Sequence, residues 1–423
     1  MGKINVTVSA PVDTYSGYGA RSRDIVRSLL KTNKYNIQIL SQRWGNTRFG
    51  YLEDHNEDEI ASLIIPKLAQ KPDVWFQITV PNEFQPVGKY NIGITAGIET
   101  NTCDPSWIEG CNRMNLVLTS SKHSKDVFET SIFDVANKQS KQNVGKLKLK
   151  TKVEVLFEGI DPKKFFPKST KAFDLECIKE DFCFLFVGHW LKGSYGHDRK
   201  NVGYMIKSFL ETFKVKKNPP ALILKTSLVG TSIMDRDTLI ERISEIKNTV
   251  KGSRLPSIYV VHGEVTDEDM NNLYNHPKVK AMVSLTKGEG FGRPLLEFTF
   301  TKKPVLASGW SGQIDFLDNK KSLLIGGNLH KLDNSSIQKN VLIPESEWFQ
   351  PADGEVSKKY RAIHKHYKDY LALAKDQGRD NIKNFSLSKM KEKLESILDN
   401  NLPEFPKKIE LTLPKLDLPK LEV

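Results

Sequence analysis

The chain has 423 residues, with 63 Lys and Arg against 51 Asp and Glu, for a formal net charge of +12. That length exceeds what one hydrophobic core serves and fits two domains of about 150–200 residues each. The charge favours polyanionic partners such as nucleic acid, an anionic membrane surface or acidic glycans, while no apolar run reaches the ~18 residues of a membrane span and no signal-peptide pattern opens the chain.

In chain order, INVTVSAP (Ile4 to Pro11) reads as a strand, and DTYSGYGARSRDIVRSLL then sets Gly17 and Gly19 at the head of an amphipathic helix. A second strand, YNIQIL (Tyr35 to Leu40), leads into SQRWGNTRFGYL, which gathers Arg43, Trp44, Arg48, Phe49 and Tyr51 in one loop. Loops at the carboxyl ends of parallel strands face the ligand crevice, so these residues either grip phosphates and stack on bases or anchor the loop through a buried Trp. The strand and loop from Ile92 to Ile98 deliver Glu99, and TSSKHSK (Ser120, Ser121, His123) has the form of a strand end and helix cap. From Lys138 to Lys152, KQSKQNVGKLKLKTK carries six lysines and no acid. Such a stretch is either solvated or tracks a sugar-phosphate backbone.

The second half repeats the alternation of strand and helix, which argues for α/β domains with parallel sheets. FCFLFVGHW is a strand, Arg199 and Lys200 stand just before a helix, and ALILK ends a strand on Lys225. In IYVVHGEVTDEDMNNLY a strand precedes a helix with Thr266 and Asp269 spaced for capping, so Asp267, Glu268 and Asp269 read as an acidic first turn and no metal site is expected. Cys103, Cys111, Cys177 and Cys183 lack zinc or CxxC spacing, which suits buried, reduced thiols in a cytoplasmic protein. The stretch 326–351 is rich in loops. Helices are expected from about Val356 to Ala374 and from Ser386 to Leu398. The tail from Leu402 repeats Leu-Pro and Pro-Lys steps and suits an extended strap or disorder.

The most informative segment is KGEGFGRPLLEFTFTKKPVLASGWSGQIDF, Lys287 to Phe316. An apolar strand (Ala281 to Leu285) feeds a glycine turn, and Pro294 opens a helix whose Leu295, Leu296, Phe298 and Phe300 pack inward. Free backbone N–H groups and the helix dipole then meet at one point suited to a phosphate, with Glu289 and Glu297 flanking it as acceptors for sugar hydroxyls. Gly290 and Gly292 allow a diphosphate to approach the backbone.

Glu289-Gly-Phe-Gly-x-Pro-x-x-Glu297, followed by Pro-Val-x-Ala-Ser, resembles the signature of retaining glycosyltransferases of family 4, which have two Rossmann-like domains facing across a cleft, the GT-B fold. The resemblance covers most of Ile4 to Leu317. It implies that Glu297 holds the nucleotide ribose, that Glu289 lies by the donor sugar, and that the amides of Gly290, Phe291 and Gly292 hold sugar and phosphate. The loop of Gly17 and Gly19 resembles the family's first glycine loop, which meets acceptor and phosphate from the other domain. Arg199 is the candidate to neutralise the departing diphosphate, joined by Lys200 or Lys225, with the match favouring Lys200. VEVLFEGID resembles the family's exit from the first domain, with Glu158 where asparagine is usual. The family often carries a histidine on its acceptor side; this chain has none there, and Glu99 is the nearest polar residue.

The resemblance further implies a nucleotide-sugar donor, commonly UDP-linked, as substrate and no separate cofactor. The expected domains are 1–165 for the acceptor, 170–375 for the nucleotide-sugar, and a segment 376–423 returning to the first. Charge, size and the absence of a secretion signal are similar in class to phage enzymes that glycosylate hydroxymethylated cytosine, making DNA the leading acceptor through Arg43, Trp44, Arg48 and Lys138 to Lys152. A lipid-linked or cell-surface glycan, a nucleotide-sugar epimerase and a non-catalytic binding protein are the alternatives. Stable membrane insertion is not expected.

Overall fold

Two six-stranded sheets divide the chain, and every neighbouring pair of strands in them is parallel. The structure is a computed structural model describing residues 3–136, 142–191, 195–228 and 230–405. The first half contains β1 (Ile4–Ala10), α1 (Gly17–Leu30), β2 (Tyr35–Ser41), the short helices α2 (Tyr51–Asp54) and α3 (Asp58–Ala61), β3 (Val74–Ile78) and β4 (Tyr90–Ile94). It continues through α4 (Pro105–Asn112), β5 (Leu116–Thr119), α5 (Lys122–Thr130), an antiparallel hairpin of β6 (Phe133–Ala136) and β7 (Asn143–Leu147), and β8 (Lys152–Val155). Its sheet runs β2-β1-β3-β4-β5-β8.

The second half comprises β9 (Cys183–Val187), α6 (Val202–Phe213), β10 (Ala221–Lys225), α7 (Ile233–Thr249), β11 (Ile258–Val261), α8 (Asp267–Asn275), β12 (Val279–Ser284) and α9 (Arg293–Phe300). Then follow β13 (Val305–Ser308), β14 (Leu323–Ile325), β15 (Gly327–Lys331) and β16 (Glu347–Pro351), before α10 (Asp353–Lys365), α11 (Tyr367–Asn384) and α12 (Leu387–Asn401). Its sheet runs β11-β10-β9-β12-β13-β14, the doubly wound Rossmann order. Sheets covered by helices on both faces need apolar side chains on both, and Cys183, Phe184, Leu185 and Phe186 of β9 are all fully buried. Strand order reverses between β1 and β3 in one sheet and between β9 and β12 in the other. Ligand crevices of open α/β sheets form outside the carboxyl ends of strands at such points. The loops after β1, β9 and β12 are therefore the ones the topology brings to the cleft.

The chain crosses back at its end. Ile160 N donates to Phe385 O at 3.0 Å and Leu387 N to Ile160 O at 2.8 Å, where the first half exits. A side chain on Gly159 would meet the Leu387 backbone at 2.7 Å, so only glycine permits this crossing. Beyond it, Leu387, Met390, Leu394, Ile397 and Leu398 form an apolar stripe of α12 that completes the core of the first sheet.

Two local expectations change. The helix expected from Val356 to Ala374 is broken at His366, whose backbone is not helical (φ −116°, ψ 38°). The two pieces serve different partners: Tyr360 of α10 packs on Phe184 and Phe209, whereas Gly378 of α11 lies against Thr299 O of α9. The loop-rich 326–351 contains the antiparallel pair β15–β16. It also reaches the first half, where Asn101 and Glu347 exchange backbone and side-chain hydrogen bonds of 2.8–2.9 Å and Trp107 Nε1 donates to Asn340 O at 2.7 Å. Residues 137–141, with Lys138 and Lys141, and the tail beyond Phe405 lie outside the described residues. No helix among the described residues is long and apolar enough to cross a membrane.

Candidate active site

Strand β12 ends at Ser284, and α9 begins nine residues later with Pro294 in its first turn. Gly292 caps the helix at φ +95°, a conformation that a side chain would strain. Leu295, Leu296, Phe298 and Phe300 are buried, which fixes the helix and holds its N-terminus at the carboxyl edge of the sheet. Across the switch point, Asn201 adopts the left-handed conformation at the start of α6, turning the chain just after Arg199 and Lys200. Arg199 O accepts from Lys287 N at 2.8 Å, tying the two loops together.

Glu289, Lys200, Arg199 and Glu99 meet there. Lys200 Nζ lies 2.5 Å from Glu289 Oε1, Arg199 Nη1 lies 3.2 Å from Glu289 Oε2, and the same Nη1 lies 3.5 Å from Glu99 Oε1 in the first half. Burial pushes the Glu289 carboxyl up, but Lys200 and Arg199 outweigh it and hold the group below the usual carboxylate range. Burial also pulls Lys200 down, with Glu289 opposing. The result is a charge-balanced quartet drawn from both halves.

Glu297 sits in different company. Arg293 Nε donates to its Oε1 at 2.9 Å and Tyr274 OH lies 3.2 Å from its Oε2. Arg293 Nη1 reaches Asp24 of α1 at 2.6 Å, with Glu158 at 4.0 Å. Burial raises Glu297 to about 7, although Arg293 opposes it. Burial likewise raises Glu158, against Arg21 and Arg293. A cavity of about 380 Å³ opens beside this group, lined by Gly17, Arg23, Asp24, Lys164, Arg293 and Glu297 among others. Its size and its mix of carboxylates and cations suit a polar ligand carrying both hydroxyl and phosphate groups.

The expected glycines divide by role. Gly17, at the first turn of α1, has open space where a side chain would go and lines the cavity. Gly19 instead permits close packing, since a Cβ would lie 2.3 Å from Thr14 O. At Gly290 a Cβ would lie 2.0 Å from Ala96 O, so this turn packs backbone to backbone against the first half. Ser120 Oγ reinforces that seam, 2.5 Å from Ala96 O and 3.0 Å from Gly290 O. Phe291 is buried and packs on Phe316.

Other candidates have other partners. Lys225 Nζ donates to Gly263 O at 2.6 Å and stands apart from the Glu289 quartet in its bonding. Arg48 bonds Asp54 and Glu264 (2.7 Å) and lies over Tyr15, so its guanidinium is engaged by carboxylates where a phosphate grip was expected. Arg43 lies over Phe49. Trp44 stacks on Tyr18 at 3.9 Å, and Tyr18 OH bonds Thr95 Oγ1 and accepts from Ala96 N. Lys146, Lys148, Lys150 and Lys152 are exposed. Thr266 and Asp269 form a capping box on α8, and Ser121 caps α5. Cys103, Cys111 and Cys183 are buried and Cys177 is exposed, all four as free thiols. Among the described residues no three His, Cys, Asp or Glu side chains are grouped to hold a metal ion.

Sequence reasoning passed over Arg293, Asp24, Tyr274 and His189. Arg293 was within reach, because it precedes Glu297 by four on one helix and such pairs face each other. Its second partner, Asp24, is 269 positions away and carried no local signal. His189 follows β9 and pairs Nδ1 with Ser227 Oγ at 2.9 Å; burial and then Lys200 lower its pKa.

No protein-family model matches the sequence, and no curated protein sequence matches it. Solved structures do match. A glycosyltransferase from Rickettsia africae superposes with a TM-score of 0.63 at 15% identity, covering 95% of this chain and 99% of that one. Sucrose-phosphate synthase from Thermosynechococcus elongatus gives 0.60 at 11% identity, covering 94% and 99%. HepE from Anabaena, in complex with UDP and glucose, gives 0.59 at 12% identity, covering 94% and 100%. At these identities the likeness is one of fold, and together with the two parallel six-stranded sheets it establishes the GT-B architecture of two Rossmann-like domains facing across a cleft.

Proposed function

We propose that the chain is a retaining glycosyltransferase that moves a sugar, hexosyl or pentosyl, from a UDP-linked donor to an acceptor hydroxyl. The observation that carries this reading is the β12–turn–α9 unit, in which Glu289 is pinned by Lys200 and Arg199 while Glu297 lines the interdomain cavity. Residues 170–375 present the nucleotide-sugar and residues 1–165 the acceptor, and of the last segment it is α12 (Leu387–Asn401) that ties back to the first domain. Glu297 accepts from the ribose hydroxyls, and Glu289 addresses the donor sugar. Gly17 lines the cavity that takes the sugar-phosphate, and the turn Gly290-Phe291-Gly292 supports it by packing on Ala96 and Phe316. Lys200 and Arg199, with Lys225 further out, balance the leaving diphosphate. Structural relatives solved with UDP, UDP-glucose or UDP-2-fluoro glucose support the choice of nucleotide.

In the reaction, the bond from the sugar's anomeric carbon to the phosphate oxygen breaks and the acceptor oxygen bonds that carbon on the same face. The acceptor proton passes to the leaving phosphate. Both nearby carboxylates, Glu289 and Glu99, face Arg199, which blunts them as nucleophiles and favours this route. For the acceptor, DNA bearing 5-hydroxymethylcytosine fits the net charge of +12 and the exposed lysines of 146–152. Arg48, exposed though paired with Asp54 and Glu264, and Trp44, stacked on Tyr18, stand on the loop after β2 as further acceptor contacts.

Sugar transfer from a panel of UDP-sugars to duplex DNA containing 5-hydroxymethylcytosine, read by mass spectrometry of the digested nucleosides, tests both halves. A sugar-shifted nucleoside is the expected product. Donor hydrolysis without modified DNA would overturn the acceptor and leave the donor standing. Absence of nucleotide binding would overturn the donor.

A further inference from the structure

Resting on the reading of Glu297 as the ribose carboxylate, we infer that Arg293 is a positioning residue that sets Glu297 for the donor and latches the two domains across it. The guanidinium uses separate nitrogens for the two tasks. Its Nε faces Glu297 Oε1 at 2.9 Å, four residues along α9, and its Nη1 faces Asp24 Oδ2 at 2.6 Å on α1 of the opposite domain. Asp24 is 5% exposed and Glu158 8%. Removing the cation would leave Glu297 without a positive partner and Asp24 with Arg27 alone, an unfavourable arrangement that opening of the cleft would relieve.

The charges around this seam are drawn from every element packed on it. Tyr274 and Asp267 come from α8, Asp24, Arg21, Arg23 and Arg27 from α1, with Arg27 Nη1 3.1 Å from Asp24, and Glu158 from the strand-exit loop after β8. Lys164 bonds Asp267 at 2.8 Å. Burial already raises Glu297 to about 7 with Arg293 in place. Without the cation the carboxyl stays protonated at neutral pH and becomes a poorer acceptor for a pair of sugar hydroxyls. The defect is thus greatest at neutral pH and shrinks as rising pH ionises Glu297. A merely structural Arg293 would weaken binding equally at every pH.

Calorimetric titration of the full chain with UDP, and in parallel GDP and ADP, over about pH 6 to 9 reads this directly. Wild type is expected to bind one of the three. Arg293→Leu is expected to bind it about tenfold more weakly near neutral pH and to recover toward higher pH, while Arg293→Lys keeps most of the affinity. Asp24→Asn is expected to expand the free protein in small-angle scattering with the pH midpoint unmoved, because it weakens the latch, along with the Arg27 pair within α1, and leaves the contact between Arg293 and Glu297. A folded Arg293→Leu with wild-type affinity and pH profile overturns the positioning role. If that variant does not fold, an Arg293→Gln variant with wild-type affinity and midpoint, together with an unexpanded Asp24→Asn, overturns the inference. A wild type that binds none of the nucleotides removes the ribose reading itself, a result distinct from both.

Discussion

The two carboxylates that flank the glycine turn lie eight positions apart and live in opposite electrostatic regimes. Glu289 faces two cations, Lys200 and Arg199, and is held below the usual carboxylate range despite burial. Glu297 shares one cation, Arg293, with Asp24 and Glu158, and burial carries it up to about 7. Glu289 is buried and Glu297 partly buried on one turn and helix, and two cations beside Glu289 against one beside Glu297, where Asp267 adds a further carboxylate, set the difference. The comparison teaches that position in a motif fixes where a carboxylate points, while its charge at neutral pH depends on residues far along the chain.

The strongest way to break the comparison is to neutralise each carboxylate. Glu289→Ala is expected to reduce transfer by about 10²–10³-fold through kcat, since it removes a fixed group at the reacting centre. Glu297→Ala is expected to act mainly through the donor KM, since a ribose contact is made in ground and transition states alike. Steady-state kinetics on the two variants decides this, and equal effects on kcat and KM in both would dissolve the distinction.

Removing the shared cation tests the balance of the quartet. Arg199→Leu leaves Glu289 with Lys200 alone and Glu99 without its partner, so a destabilisation of about 2–4 kcal/mol is expected in urea unfolding. A loss below ~1 kcal/mol would mean that water, and not Arg199, stabilises Glu99.

Acidity provides a third separation, with opposite signs. Glu297 is raised in the fold, so its stabilising contribution is full below the ordinary carboxylate range and is lost as pH rises through about 7. Glu289 is lowered, so its contribution is present above that range and is lost as pH falls through the folded value. Glu297→Gln should therefore raise the melting temperature at about pH 8 and change it little near pH 4, whereas Glu289→Gln should lower it at about pH 8. Parallel thermal melts of the two variants settle the signs.

How much of this was legible in the sequence follows from the range of each interaction. The β12–α9 unit could be read because its signals are local: a short apolar run, glycines at a turn, Pro294 at a helix start and an inward apolar face. The parallel sheets could be read from alternation of strand and helix. The pairing of Arg199 with Glu289 and Glu99 joins positions about a hundred apart, and only the family resemblance brought those residues under one heading. Arg48 shows the same limit, since the exposed loop arginine pairs with Glu264, 216 positions away, a partner no local signal announces. The break at His366 lacks glycine or proline, because the choice of packing partner dictates it. Strand β15, GNLHK, is exposed throughout and so lacks the alternation that marks a half-buried strand.

The smallest effect is expected at the far seam, where the domains meet through hydrogen bonds of Asn101 with Glu347 and of Trp107 with Asn340. Trp107 is 1% exposed, packs edge-on against Phe128, and gives its indole N–H to Asn340 O at 2.7 Å. Trp107→Phe keeps an aromatic ring on Phe128 but removes the donor, leaving the segment between β15 and β16 one tether short. A loss of about 0.5–1.5 kcal/mol in urea unfolding is expected, with donor KM and the pH dependence of melting unchanged. If the variant instead shifts the pH profile, the segment between β15 and β16 and the Arg293 seam move as one body, and the charged seam is not the independent element that the contrast between Glu289 and Glu297 requires.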